Sequence, residues 1–365
     1  VSSAWPGDLL ARIAVPRLPG SEAADRVEQV IAARLASLGF AVTRQPFTAS
    51  PRRLTAASVG GAALGWAALG IAPLLVLPFP AWSVTLLGAA ALALAGALSW
   101  GVGMGHLPVG GRQVAAANLV GQRGTPSVWL VAHADSKAQR VSLRGRVLAV
   151  VCAVIGAGGL VALLLARLAG PVPWWVALPV AGLAVGGGAA LSLGAPLDRS
   201  PGAVDNASGV VAALVAAAEL KEREDVGVLI TGAEELGMVG AEAWVAGDAA
   251  GGAFINFDGL DARGAYRVQL HPTRRPSAVS PQAVRDALQA TLADAGHRVV
   301  AARLPVGTFV DGAVLARGGM SGVTLSRGDW VTLGVVHTPR DEATRLDPAA
   351  AVAGGRAAAA AVRRL

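Results

Sequence analysis

Five stretches of the 365-residue chain set histidine or carboxylate side chains beside short structured runs. His133 and Asp135 stand in VAHADS, Asp205 in GAVDNASG, Glu234 and Glu235 directly after LITGA, Asp258 in INFDGLD and His337 in VVHTPRD. Imidazole nitrogen and carboxylate oxygen are both good zinc donors. Three carboxylates and two histidines hold two metal ions if one carboxylate bridges, and a fourth carboxylate is then left as a free base. Such a set suffices for a two-metal hydrolase, in which the metals bind and polarise a water. Taken one at a time, each residue has a plainer role. An Asp before a helix reads as an N-cap, a Glu-Glu pair as a solvated helix start, and a His after a strand as structural. The ordered set, each member at the edge of a strand or helix, is what points to chemistry.

Those edges come from an alternation of helix and strand. Residues 21–39 have helical periodicity, and 40–47 read as a strand. Residues 127–132, 226–231 and 253–257 are short apolar strands, 207–222 an Ala- and Val-rich helix. Strands at 323–326 and 333–336 follow, and an Ala-rich helix closes the chain. Short apolar strands between helices predict an α/β fold, a mixed β-sheet flanked by helices. Reactive groups then gather at strand ends.

The motifs resemble the M28 family of zinc peptidases, which includes many bacterial aminopeptidases. HADS, DNASG, AEELGMVGAEAW, INFDG and HTPRDEATRLD occur in that family's order, and PRLPGSEAADRVEQVIAARLASLGFAVTRQPF resembles its opening helix and strand. The resemblance covers essentially all of the polar chain. It implies a zinc-exopeptidase-like fold, a peptide substrate, hydrolysis as an aminopeptidase and two zinc ions, though such oxygen-rich sites also take cobalt or manganese. It implies that His133 and Asp258 bind one zinc, Glu235 and His337 the other, and that Asp205 bridges them. Glu234 is then the catalytic base that takes a proton from the metal-bound water and gives it to the leaving amine. Asp135, two residues beyond His133 and on the same face if the strand continues, takes a supporting part in catalysis without binding metal. Asn206, Ser208 and Gly209 shape the helix entry.

The sequence also departs from the pattern. The family often has an aromatic, usually Tyr, before the final His, and here that position is Val336. The chain has a single Tyr, Tyr266. The family includes a cyclase branch that uses one zinc; the full ligand set here favours the two-metal branch. An aminopeptidase needs an acid to hold the substrate's amine, a carboxypeptidase or related amidohydrolase an Arg for the carboxylate. Asp311 in GTFVDGAVL and Arg327 leave both open, and a non-catalytic membrane receptor or scaffold on the same fold is the third reading. His106, His271 and His297 read as structural or solvent-facing.

Composition adds a membrane. Just over half of the residues are apolar and 15% are charged. Residues 54–107 contain no Lys, Arg, Asp or Glu, and 147–197 contain only Arg167. Pro78 to Pro80 break the first block; Gly170, Pro171 and Pro173 break the second, before Trp174 and Trp175. Each half is long enough to cross a bilayer core. The chain thus divides into 1–53, a first part of the peptidase domain; 54–107, transmembrane hairpin 1; 108–146, the domain continued; 147–197, transmembrane hairpin 2; and 198–365, the domain completed. The four spans are read at 55–77, 81–104, 147–169 and 174–196, with Gly61 and Gly65, and Gly182 and Gly186, available for close helix packing. Two hairpins put all polar segments on one side. Their flanks carry Arg52, Arg53, Arg112, Arg140, Arg144, Arg146 and Arg199, so the positive-inside rule predicts a cytoplasmic peptidase domain. The second hairpin separates His133 from Asp205, which predicts an active site near the membrane surface.

The net charge is +7, without basic runs interleaved with aromatics, so a nucleic-acid partner is not expected. Cys152 is single and reads as apolar filler. Residues 1–40 form a charged amphipathic segment without a signal-peptide pattern. Oligomeric state is not readable.

Overall fold

The computed structural model describes residues 5–107, 109, 111–247, 251–271, 279–302 and 310–365. The Pro- and Arg-rich stretch after His271 and the first three residues of GTFVDGAVL lie outside them. The chain forms two compact units: Val1–Ala49, Gln113–Ala138 and Leu197–Leu365 make the first, Ser50–Arg112 and Gln139–Pro196 the second.

The first unit is built on a mixed eight-stranded sheet. Its strands are β1 (Ala41–Ala49), β2 (Val114–Gln122), β3 (Val128–His133), β4 (Val226–Thr231), β5 (Ala253–Leu260), β6 (Ala265–His271), β7 (Val299–Ala302) and β8 (Ser321–Gly328), in the order β1-β2-β4-β3-β5-β8-β6-β7. The four central strands, β4, β3, β5 and β8, run parallel. VWLVAH in β3 and VGVLIT in β4 are buried at every position, as a strand covered on both faces must be. The edge strand β1 instead exposes most residues and accommodates Pro46, which has no N–H to give to a ladder.

Helices α1 (Trp5–Ile13), α2 (Glu22–Ser37), α7 (Gly209–Glu219), α8 (Val239–Ala246), α9 (Pro281–Asp294), α10 (Asp311–Arg317) and α11 (Ala349–Arg363) flank the sheet. Ser21 caps α2, its Oγ accepting from the Ala24 N–H at 3.1 Å. The α7 sequence GVVAALVAAAE is apolar almost all round because both its sides are covered. Gly355 lets α11 approach it: a Cβ there would sit 2.5 Å from the Ala212 carbonyl oxygen.

One expectation changes here, and three strands are added. Residues 333–336 are not a strand. Asp329 accepts from the Val331 and Thr332 N–H groups at 2.8 and 3.0 Å and winds the chain into a 3-10 turn, Thr332–Gly334. The strands β2, β6 and β7 had no sequence signal strong enough to be read. In β2 the run VAAANLVGQ is Ala-rich, with weak intrinsic strand preference, and pairing with β1 and β4 decides its conformation.

Tyr266 serves the core: its hydroxyl donates to the Ala350 carbonyl at 2.6 Å, and His297 meets its ring edge-on. His271 is buried beside Phe254, with Nε2 2.8 Å from Thr324 Oγ1. Burial pulls its pKa down to about 4. A depressed histidine pKa means the unfolded chain takes up the proton first. Stability is therefore full above about pH 6.5 and falls as the pH drops towards 4, by roughly 3 kcal/mol in all. His271→Gln should remove that part of the acid sensitivity, seen as a smaller drop in melting temperature between pH 7 and 4.5 than in the parent.

The second unit consists of α3 (Arg52–Val76), α4 (Ala81–Met104), α5 (Leu143–Ala166) and α6 (Trp174–Ser192). All four are long and apolar enough to cross a membrane. Helix α5 starts four residues earlier than its apolar run because Ser142 Oγ accepts from the Gly145 N–H and caps it. The unit exposes what a water-soluble bundle would bury: Trp66, Trp82, Trp100, Trp174 and Trp175 are each more than 60% exposed. Its interior is close-packed at small residues. Gly188 on α6 faces Gly61 on α3, where a Cβ would stand 2.3 Å from the Gly61 carbonyl oxygen. Gly182 and Gly186 are not part of this seam and have open space beside them. Gly187 and Gly188 take that place, since a step of one residue turns the side-chain position by about 100°.

Candidate functional site

The residues singled out by type converge from five different elements of the first unit. His133 is the last residue of β3. With Nδ1–H given to the Asp135 carbonyl at 3.2 Å, its Nε2 keeps a lone pair. That Nε2 lies 3.1 Å from Asp205 Oδ1 and 4.0 Å from Asp258 Oδ1. On the other side His337 Nε2 lies 3.1 Å from Asp205 Oδ2 and 3.3 Å from Glu235 Oε2. Two three-residue clusters, His133–Asp205–Asp258 and Asp205–Glu235–His337, therefore share Asp205, one oxygen to each.

Local structure explains how each is held. Asp205 stands in an irregular turn, Ala203–Ser208, ahead of α7, and its peptide bond to Asn206 is cis. Asn206 ties this turn to the end of β5. Its Nδ2 donates to the Phe257 carbonyl at 2.8 Å, and its Oδ1 accepts from the Gly209 and Gly259 N–H groups at 3.1 Å each. Ser208 Oγ accepts from the Leu260 N–H at 2.8 Å. Asp258 thereby has a fixed distance to Asp205. Glu234 and Glu235 form a tight turn after β4, between Ala233 and Met238, both left-handed. Asp135 has left the strand instead of continuing it. Its carboxylate accepts from the backbone N–H of Glu234 at 3.2 Å and of Glu235 at 3.0 Å, so it holds both glutamates through their main chain. His337 follows a turn, not a strand, and has φ of 63°. A side-chain-bearing residue in that region costs about 1 kcal/mol, which the surrounding structure offsets.

Three residues at the site were not legible. Lys137 is buried, with Nζ 2.5 Å from Glu235 Oε2 and donating to the Glu235 carbonyl at 3.1 Å. Asp341 accepts from the Val204 and Asp205 N–H groups at 2.8 and 3.1 Å. Arg17 is 1% exposed and donates to the carbonyls of Ala134, Val15, Pro201 and Gly202, bracing the segments that carry Asp135 and Asp205. Lys137 and Asp341 do stand inside or beside the motifs HADS and HTPRD. Their burial is what the sequence did not disclose.

The electrostatics show a site short of positive charge. Burial and the neighbouring carboxylates Glu235, Asp311 and Asp258 hold Glu234 well above the usual carboxyl range, against the pull of His133. Burial, with Asp205 and Asp311 adding to it, pushes Asp258 up to about 7, although His133 pulls the other way. Burial pushes Asp311 up to about 6, against His133 and Thr231, whose hydroxyl donates to it. Burial would raise Glu235 too, but Lys137 and His337 outweigh it and bring the group to about 2. Burial opposes protonation of His133, and Glu234, Asp135 and Asp205 overcome it, so its pKa stands well above the ordinary value.

The donor set fits zinc. Four ligands placed tetrahedrally about 2 Å from an ion lie about 3.3 Å from one another, and three of the four contacts to Asp205, Asp258 and Glu235 fall at 3.1–3.3 Å. Glu235 Oε1 is buried without a hydrogen-bond partner among the described residues, and a cation would satisfy it. The other three histidines lie elsewhere: His106 packs on Trp100 in the second unit, and His271 and His297 sit in the core contacts given above. Arg327 lies over the Tyr266 ring and donates to the Gly264 carbonyl.

A parallel-centred mixed sheet carrying paired His–carboxylate clusters at the ends of its strands and the turns beyond them defines a protein of the zinc-exopeptidase fold. Structural comparison agrees. BSAP, a zinc aminopeptidase from Bacillus subtilis, aligns with a TM-score of 0.55 at 15% identity, covering 98% of this chain and 94% of that one. An aminopeptidase from Aneurinibacillus sp. strain AM-1 gives 0.55 at 13% identity, covering 98% and 92%. A glutaminyl cyclase from Porphyromonas gingivalis gives 0.53 at 16% identity, covering 100% and 98%. No curated protein matches the chain in sequence. In sequence, residues 184–362 match the model of peptidase family M28.

Proposed function

We propose that the chain is a membrane-anchored di-zinc peptidase that removes N-terminal residues from peptides. The observation that carries this reading is Asp205, whose two oxygens each stand 3.1 Å from a different histidine, the arrangement a bridging carboxylate requires. His133 and Asp258 would hold one ion, Glu235 and His337 the other.

Zinc held there supplies Lewis acidity that polarises a water and the scissile carbonyl, and positive charge that lets the buried Glu234 ionise. Glu234 takes the proton of the attacking water on its carboxylate and delivers it to the leaving amine nitrogen. Asp135 keeps Glu234 and Glu235 in their divided roles by binding both backbone N–H groups. Lys137 offsets the charge of Glu235. The amine of the substrate is met by an acidic wall. Asp311 is 1% exposed, and its Oδ1 has no hydrogen-bond partner among the described residues. Arg327, engaged with Tyr266 and Gly264, supports no competing carboxylate pocket, which favours an aminopeptidase over a carboxypeptidase. Val336 places no hydroxyl beside His337, so this position donates nothing to the carbonyl oxygen.

The apolar helices α3–α6, with their exposed Trp and Leu side chains, support anchoring in a bilayer, and the arginine-rich flanks favour a cytoplasmic peptidase unit by the positive-inside rule. Metal analysis of the detergent-purified full chain tests the centre. Two zinc ions per chain and cleavage of unblocked but not N-acetylated peptides are expected. One ion per chain with cyclisation of N-terminal glutamine would replace this reading with a cyclase. No bound metal after zinc resupply would leave a binding protein on a peptidase fold.

A further inference from the structure

The carboxylates of Asp135, Asp205, Glu234, Glu235, Asp258 and Asp311 gather in the first unit. Among the described residues of that unit, the buried lysine and arginine are Lys137 and Arg17, and they behave differently. Arg17 donates to the main-chain carbonyls of Val15, Ala134, Pro201 and Gly202. Lys137 reaches a carboxylate: its Nζ lies 2.5 Å from Glu235 Oε2 and donates to the Glu235 carbonyl at 3.1 Å. The same Oε2 faces His337 Nε2 at 3.3 Å. The ammonium and the Asp205–Glu235–His337 cluster therefore draw on one oxygen.

The backbone fixes where that ammonium sits. On one side of Lys137, the Ser136 N–H donates to the Arg17 carbonyl at 3.3 Å, and Ser136 Oγ donates to the Ser200 carbonyl at 2.8 Å. On the other, Ala138 pairs with Leu197 through the backbone. A lysine ordinarily lays its stem on the surface and keeps its charge in water. Here both neighbours are tied down and the charge is buried against a single carboxylate. Methionine would fill similar space with no charge to desolvate, so filling space does not explain the ammonium; pairing with Glu235 does.

We propose that Lys137 is a counter-cation to Glu235 with two opposite effects: it keeps the peptidase unit stable when zinc is withdrawn, and it weakens the hold of Glu235 and His337 on their ion. The proposal rests on the di-zinc reading above and adds to it a residue that makes one ion releasable. Both effects have one origin. Removing the cation of a buried ion pair leaves a buried charge unpaired, which is strongly destabilising. A divalent ion bound to the same carboxylate as a fixed ammonium is repelled by it, and a buried site screens that repulsion poorly. The effect of the charge on stability thus reverses sign with metal, which a packing role does not reproduce.

The test compares the full chain in detergent with Lys137→Met. Each is stripped of metal with a chelator, then titrated with zinc against a chromophoric chelator of known affinity, well below both melting transitions. Stripped Lys137→Met should melt about 10 °C or more below the stripped parent. One of its two zinc ions should bind about tenfold or more tighter than in the parent, with the other unchanged. Adding Glu235→Gln to Lys137→Met removes both charges and should restore most of the lost melting temperature in the stripped protein. Unchanged zinc affinity in Lys137→Met, or a stripped variant that melts with the parent, overturns the proposal and leaves the di-zinc reading standing. So does a Lys137→Met chain that fails to fold with zinc present or that Glu235→Gln does not rescue, since Lys137 is then a packing residue. A parent chain that binds no zinc overturns the di-zinc reading and this proposal with it.

Discussion

Glu234→Gln is expected to lower kcat for peptide hydrolysis by roughly a hundred- to ten-thousandfold, with metal content unchanged. The amide keeps the size of the carboxyl and can stay in the turn that Asp135 fixes through its hold on the two backbone N–H groups. It cannot accept and return a proton. Glu234 belongs to neither three-residue cluster, so the ions have no reason to leave. Its surroundings sharpen the contrast: the group is buried among Glu235, Asp311 and Asp258, all of which resist a further negative charge. A neutral amide relieves that repulsion, and the variant should melt no lower than the parent. Steady-state kinetics, zinc analysis and a melting curve together check the claim. A variant that loses zinc along with activity would show that Glu234 is a ligand, not a base.

Asp205→Ala should have the widest effect of any single substitution at the site. This carboxylate alone belongs to both clusters. Removing it leaves His133 with Asp258, and His337 with Glu235, two donors each where three converged. Both ions should be lost and hydrolysis with them. The protein should also melt lower, because bound metal stabilises the folded form by mass action and because two buried histidines lose their common anion. Asp258→Ala is the comparison: it touches one cluster only and should leave one tightly held ion. Zinc titration followed by gel filtration and metal analysis separates the two. Full occupancy of one site in Asp205→Ala would mean that the carboxylate does not bridge.

The sequence was most informative where chemistry and local pattern coincide. His133, Asp205, Glu235, Asp258 and His337 stand out as donor types at the edges of structured runs, the family resemblance is what implies them as the ligand set, and the structure brings these five together. The central strands were readable because strands buried on both faces are continuous apolar runs, as in VWLVAH and VGVLIT. The flanking strands were not, because VAAANLVGQ and VVAA have the same residue types as this chain's helices and are set by their partners. The approach to His337 reads as a strand for a related reason: LGVV is apolar, but the Asp329 turn upstream redirects it. Arg17 and Lys137 escaped notice because charged residues read as surface until burial is known. Only the three-dimensional structure shows that one braces the loops around Asp205 and the other sits against Glu235.

The chain departs from the first unit at Ala138 and rejoins it at Leu197, and these two residues pair through reciprocal backbone hydrogen bonds of 2.7 and 2.8 Å. The pair acts as a clasp. Once it is closed, whatever lies between enters the folding of the peptidase unit only as the entropy of a closed loop, which grows with the logarithm of length, about 0.6 kcal/mol per doubling. A two-helix excursion therefore costs the catalytic sheet little more than a modest loop would. The same scaffold can carry a membrane anchor, a shorter turn or a different appendage at this position without altering how His133 and Asp205 meet.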